Sequence, residues 1–167
     1  MWAKIEEVFR DFPAQKRVAL YLLERGFQVR ADGKIACDGC SVPSTSLARR
    51  LGIDRRVVDS AAQKILEDNE LKRVFLKMTP IANLLNVAPE IGLGVVMVSV
   101  GDAKKPGIIE SITNCIARHG VSIRQAVAQD PVFVDDPKFI VITDGEVGGA
   151  LVEELKSLKG VNQITIS

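Results

Sequence analysis

The sequence predicts an α+β chain, with a mostly helical N-terminal helix-turn-helix domain followed by a C-terminal ferredoxin-like βαββαβ domain. Three observations predict it. The stretch STSLARRLGIDRRVVDSAAQKIL, Ser44 to Leu66, carries two short helical periods with Gly52 between them. Beyond Leu93, β-prone runs and amphipathic stretches follow one another as strand, helix, strand, strand, helix, strand. The charge balance changes near the same joint. Through Pro80 there are 15 Lys and Arg against 11 Asp and Glu, a net of +4; from Ile81 there are 7 against 10, a net of −3.

The elements follow in order. Trp2, Ile5, Phe9 and Phe12 recur at helical spacing and predict an amphipathic helix. Asp11 and Pro13 mark a stop and a new start. PAQKRVALYLLERG then predicts a second helix, with Val18, Leu22 and Leu23 inward and Gly26 as its C-cap. FQVRADGKIAC places β-prone runs on either side of Asp32-Gly33, the pattern of a hairpin. EDNELKRVFLKM fits a short strand or a helix equally. In the C-terminal half the strands are LGVVMVSV, VSIRQAVAQD, KFIVITD and VNQITIS; the helices are KPGIIESITNCIARHG and GGALVEELKSLKG.

These elements place a DNA-binding domain at residues 1–79, a linker at 80–91 and a second domain at 92–167. The linker, TPIANLLNVAPEIG at its widest, is apolar rather than Gly/Ser-rich. It is therefore expected to form a short helix with Ile81, Leu84, Leu85, Val87 and Ile91 packed against one or both domains.

Composition narrows the function. A hydrophobic share of 47% suffices for a packed core, while 5% aromatics gives little for single-strand stacking platforms. MWAKIEEVFRDF does not read as a secretory signal, and IGLGVVMVSVG is too short to span a bilayer. A soluble, cytoplasmic protein with no membrane partner is expected.

In the Ser44–Leu66 stretch, Ser44 is the expected N-cap of a helix holding Leu47, Ala48 and Leu51. Gly52 turns the chain, Asp54 caps the next helix, and Val58, Ala61, Ala62 and Ile65 form its inner face. The N-terminal turns of such a second helix enter the major groove of double-stranded DNA. Arg55, Arg56, Ser60 and Gln63 are its candidate base contacts, because Arg pairs bidentately with guanine and Gln with adenine. Ser44 and Thr45 are the candidate phosphate contacts. Asp59 points to the other reading, a packing unit whose arginines are held in surface ion pairs.

KPGIIESITNCIARHGVSI resembles the signature of ACT domains, small ligand-sensing βαββαβ modules. The likeness lies in the Pro106-Gly107 entry, the apolar helix positions Ile108, Ile109, Ile112, Cys115 and Ile116, and the His119-Gly120 exit into a strand. With MWAKIEEVFRDFPAQKRVA and the helix-turn-helix before it, the whole chain resembles predicted archaeal regulators of amino-acid metabolism. The resemblance implies a ligand-responsive transcription regulator that forms a homodimer or higher homo-oligomer through its ACT-like domain. It implies a small-molecule effector held by Gly101, Asp102, Lys104, Lys105, Pro106, Gly107 and Ile108, with Ser122 as a second-strand contact. That effector is an amino acid or, given the two lysines, a phosphorylated metabolite. The alternative is a metabolite-binding module that regulates an enzyme by protein contact, without DNA.

Cys37 and Cys40 in CDGC have the spacing of half a zinc site; a local disulfide or plain structural cysteines fit the same spacing. Three cysteines, an odd number, do not suit a fully paired disulfide framework. Cys115 and His119 are the other soft ligands, one helical turn apart. With one His and no GxSxG, HExxH, P-loop or dinucleotide fingerprint, the chain is not expected to be an enzyme.

Overall fold

The structure, a computed structural model, describes residues 1–102 and 105–167. The chain has the expected α+β character and divides into two compact units, 1–82 and 83–167.

The first unit begins with α1 (Trp2–Val8) and α2 (Pro13–Arg25). α2 opens on Pro13, whose missing N–H costs nothing at a helix start, and closes on Gly26 at φ 70°. Ile5 and Phe9 are fully buried. Phe12, expected on the same inner face, is instead 41% exposed. α1 has ended before it, so helical periodicity no longer governs where its ring lies; Lys64 Nζ sits 3.7 Å from the ring centroid.

A small antiparallel sheet follows: β1 (Gln28–Val29), β2 (Ile35–Cys37) and β3 (Cys40–Val42), in that order. Asp32-Gly33 makes the first turn, where Gly33 sits at φ 78° and Asp32 Oδ1 accepts the Lys34 N–H at 3.1 Å. Asp38-Gly39 makes the second, both residues at positive φ, so Cys37 and Cys40 stand opposite each other across a two-residue hairpin.

Three helices complete the unit: α3 (Ser44–Leu51), α4 (Arg55–Glu67) and α5 (Asn69–Phe75). Ser44 is not the N-cap of α3. Pro43 occupies the cap position with extended backbone, and no side chain caps that helix. EDNELKRVFLKM resolves as helix α5, because Asp68 caps it by accepting the N–H groups of Glu70 and Leu71 at 3.0 Å each. α4 is the central element, packed against α2, α3 and α5. Its Val58, Ala61, Ala62 and Ile65 are buried, and the alanines allow close helix approach.

The second unit has the order β4 (Gly94–Val100), α6 (Ile108–Arg118), β5 (Ile123–Ala128), β6 (Lys138–Thr143), α7 (Gly149–Ser157) and β7 (Val161–Ile166). The strands form one antiparallel sheet in the order β5-β6-β4-β7. The two central strands are nearly all apolar because both faces of the sheet are covered. On one face Val96, Val98, Phe139 and Val141 pack with Ile112, Cys115, Ile116, Leu151 and Leu155 of the helices. On the other, Val95, Ile140 and Ile142 pack with Ala88, Leu84, Leu85 and Leu93. Within α6, Ile109 departs from the expected apolar face and is exposed.

The joint is therefore not the short helix expected, nor are all five of its apolar residues packed. It is a string of turns ending in a 3-10 turn at Pro89–Ile91. Leu84 and Leu85 lie on the sheet, whereas Ile81, Val87 and Ile91 are exposed, Ile81 at 84%. Pro80 and Pro89 bracket the stretch, and within it the Leu84 N–H is taken by the Gln125 side chain rather than by a helical carbonyl.

Candidate functional site

Two surfaces and one side-chain cluster concentrate the polar chemistry of the chain. The first surface is the outer face of α4. Asp54 caps this helix by accepting the Arg56 N–H at 2.7 Å, and Gly52 at φ 64° allows the turn from α3. Arg55, Arg56, Ser60 and Gln63 are all exposed, opposite the buried stripe. The structure thus brings these four residues onto one solvent face. Arg55 Nε lies 3.7 Å from Asp59 Oδ2, and Gln63 Nε2 donates to Glu67 Oε1 at 3.4 Å. Both acids lie on the same helix, so they offset part of its positive charge. Ser44 is half-buried and Thr45 exposed, at the start of α3. Arg49 and Arg50 are exposed in its last turn, where cations meet the negative end of the helix.

The second surface is the connection from β4 to α6. Gly101 donates its N–H to Gly160 O at 3.1 Å, and Lys105 donates its own to Asp102 O at 3.1 Å. Lys104, a predicted effector contact, lies outside the described residues. Lys105 and Pro106 are exposed, and Gly107 caps α6 at φ 91° with no side-chain cap. Ile108 turns inward to the core, its side chain against Gly160, and has little surface to offer a ligand. Ser122 is exposed just before β5 and accepts the Asp144 N–H at 2.9 Å through its backbone oxygen.

The cluster joins α6 to α7. Cys115 is fully buried, and His119 and Glu154 lie at the surface beside it. Their ligand atoms all fall within 4.8 Å of one another. His119 Nε2 is 2.7 Å from Glu154 Oε2, while Arg118 holds Oε1 of the same carboxylate. Hydrogen bonding from His119, then the Arg118 charge, holds the Glu154 carboxyl below its usual range. Burial, then the Glu154 charge, pushes the Cys115 thiol up. Cys37 and Cys40, in contrast, have no third His, Cys, Asp or Glu gathered with them among the described residues.

No protein-family model matches the chain, and no curated protein matches it. Two solved structures are similar at 14% identity. One is a homoserine dehydrogenase from Thiobacillus denitrificans, aligned over 68% of this chain and 28% of its own, with a TM-score of 0.35. The chain thus spans little more than a quarter of that enzyme. The other is PH0061, aligned over 90% of this chain and 88% of its own, with a TM-score of 0.29. Neither likeness is close enough to argue a function from.

Glu154 is the residue that sequence reasoning missed. It lies 35 positions from His119, in GALVEELKS, where nothing sets it apart from its neighbour Glu153. Only the packing of α6 beside α7 on one sheet face selects it. The hairpin turn at Asp38-Gly39 was also missed, although Asp-Gly is a strong two-residue hairpin signal. Among the described residues, no helix is long and apolar enough to cross a membrane.

Proposed function

We propose that the chain is a ligand-responsive transcription regulator of amino-acid metabolism, with the α3–α4 pair as a DNA-binding helix-turn-helix and the C-terminal unit as an ACT-like sensor. The observation that carries this reading is the two-sided character of α4. Arg55, Arg56, Ser60 and Gln63 project on one side, and a fully packed small-residue seam lies on the other. A left-handed glycine turn and a capped N-terminus present that helix by its first turns, the end that reads base edges in this class of motif. Ser44 and Thr45 would meet phosphate.

On this reading the effector sits over the β4–α6 connection, drawn by the free N–H groups at the start of α6 and by Lys105. Amino acids and phosphorylated metabolites share the anionic group such a place would hold. The subunits associate through the sensor. β5 is an edge strand whose Ile123, Ala126 and Ala128 are exposed, a suitable edge for a second copy. Pairing would offset the modest charge of one DNA-binding unit, because two linked weak contacts hold far better than one. Recognition helices of such a dimer read half-sites about 34 Å apart. The protein carries out no reaction on this view and works in the cytoplasm.

The ion pair between Arg55 and Asp59 favours a second reading, a metabolite-binding module that docks on an enzyme through α4. Duplex retention separates the two. The regulator should bind double-stranded DNA with an affinity that falls with salt. Arg55→Ala with Arg56→Ala should weaken binding to the preferred duplex by about 1–3 kcal/mol for each lost base contact and relax the sequence preference. Unchanged duplex affinity and sequence preference would leave the docking module as the better account.

A further inference from the structure

We propose that Cys115, His119 and Glu154 form a divalent-metal site, with zinc the ion best matched to the donors. The set is one thiol, one imidazole and one carboxylate, the three ligand types that zinc takes. Cys115 and His119 are spaced i, i+4 at the end of α6, so they project to the same side. Glu154 comes from α7, which packs beside α6 over a shared core. Cys115 and Glu154 are thus held within helices, and His119 sits at the C-cap of α6.

The separations suit the ion. Bond lengths of about 2.0 Å to nitrogen and oxygen and about 2.3 Å to sulfur put tetrahedral donors roughly 3.3–3.6 Å apart. Here the donor atoms lie within 4.8 Å of one another, and the closest pair, His119 Nε2 and Glu154 Oε2, is at 2.7 Å. Small side-chain rotations open the close pair and draw in the third. Glu154 keeps its Oε1 on Arg118, which orients the carboxylate and leaves Oε2 to the metal. Cys115 closes the inner side of the site, and half-exposed His119 and Glu154 leave an entry from solvent. As the Sγ–metal bond forms, the thiol gives up its proton to solvent. A water fills the fourth position.

The site stands apart from the DNA-binding reading and is tested without it. Cobalt(II) serves as the probe, because a cobalt–thiolate bond gives a charge-transfer absorption that a His–Glu ion pair cannot. The full chain carrying Cys37→Ser and Cys40→Ser, under reducing conditions, should take up one cobalt with that absorption, and zinc should displace it. His119→Gln and Glu154→Gln, both at the surface, should each weaken binding at least tenfold with the fold intact by circular dichroism. Absence of the band in the Cys37→Ser/Cys40→Ser chain would overturn the proposal. So would equal cobalt affinity in the folded His119→Gln chain.

Discussion

The backbone N–H of Leu84 donates to the side-chain oxygen of Gln125 at 2.9 Å, which ties the joint to the edge strand β5. The bond is partly buried and spans 41 positions. Gln125→Leu would leave the Leu84 donor without its acceptor, and such a group costs about 1–3 kcal/mol. Urea unfolding of the full chain should show that loss, and Gln125→Glu, which keeps an acceptor, should lose less. Equal stabilities for Gln125→Leu and the parent would mean that water satisfies Leu84 equally well.

Gly26 and Gly52 both end helices in the left-handed region, at φ 70° and 64°, yet they should tolerate alanine differently. A Cβ on Gly52 meets open space, so Gly52→Ala pays only the backbone strain, about 1–2 kcal/mol. A Cβ on Gly26 falls 2.8 Å from Pro80 Cα and from Thr79 O, both backbone atoms. Gly26→Ala must therefore also shift the 79–80 segment and should be clearly the more destabilising. Thermal melts of the two variants decide it; equal shifts would count against the close approach at Pro80.

Asp54 and Asp68 cap consecutive helices, and only one of the two presents the proposed DNA face. Loss of either cap should cost about 1 kcal/mol. Asp54→Ala loosens the turn that carries Arg55 and Arg56 and should weaken DNA binding. Asp68→Ala should leave DNA binding at the parent level when both are compared well below their melting temperatures. Equal DNA affinities for the two variants would mean that the cap of α4 does not set the recognition surface.

Asp68 also predicts a pH dependence. Burial raises its pKa, but the N–H groups of Leu71 and Glu70 and the Lys4 ammonium outweigh it and leave the carboxyl below its usual range. Lys4 Nζ lies 3.3 Å from Asp68 Oδ2. A folded-state pKa below the unfolded one means that the contribution is complete above the unfolded value, near 3.9, and fades as pH falls through the folded value. The stability gap between the parent and Asp68→Ala should stay constant from pH 7 to about pH 5 and close under more acidic conditions. A gap that does not narrow at all as pH falls below the unfolded value would place the effect of Asp68 in packing rather than in charge.

Much of the fold was legible in the sequence because its signals are local. Gly26 and Gly52 stop helices by conformational freedom, Asp54 caps one by its own side chain, and Val58, Ala61, Ala62 and Ile65 repeat at helical spacing. Legibility failed where a distant partner decides. Leu84 and Val87 look alike in the sequence, yet one lies against the sheet and the other faces solvent. Phe12 carries the spacing of a core residue but falls beyond the end of α1. On the proposed DNA face, side-chain identity was readable, while the sequence left Asp59 free to pair with Arg55 or Arg56, and it pairs with Arg55. Glu154 became visible only through the meeting of two helices.

Leu84, Leu85, Ala88 and Leu93 form the second cover of the sheet and so make the joint part of the C-terminal body. A gene fragment cut at residue 92, where the strand pattern begins, would strip Leu84, Leu85 and Ala88 from that cover and leave Val95, Ile140 and Ile142 more open to water. Such a fragment should precipitate, whereas one starting at residue 83 should remain in solution. The unit of inheritance is accordingly longer than its βαββαβ pattern. Any recombination event that joins this C-terminal unit to another N-terminal partner must carry the preceding ten residues with it.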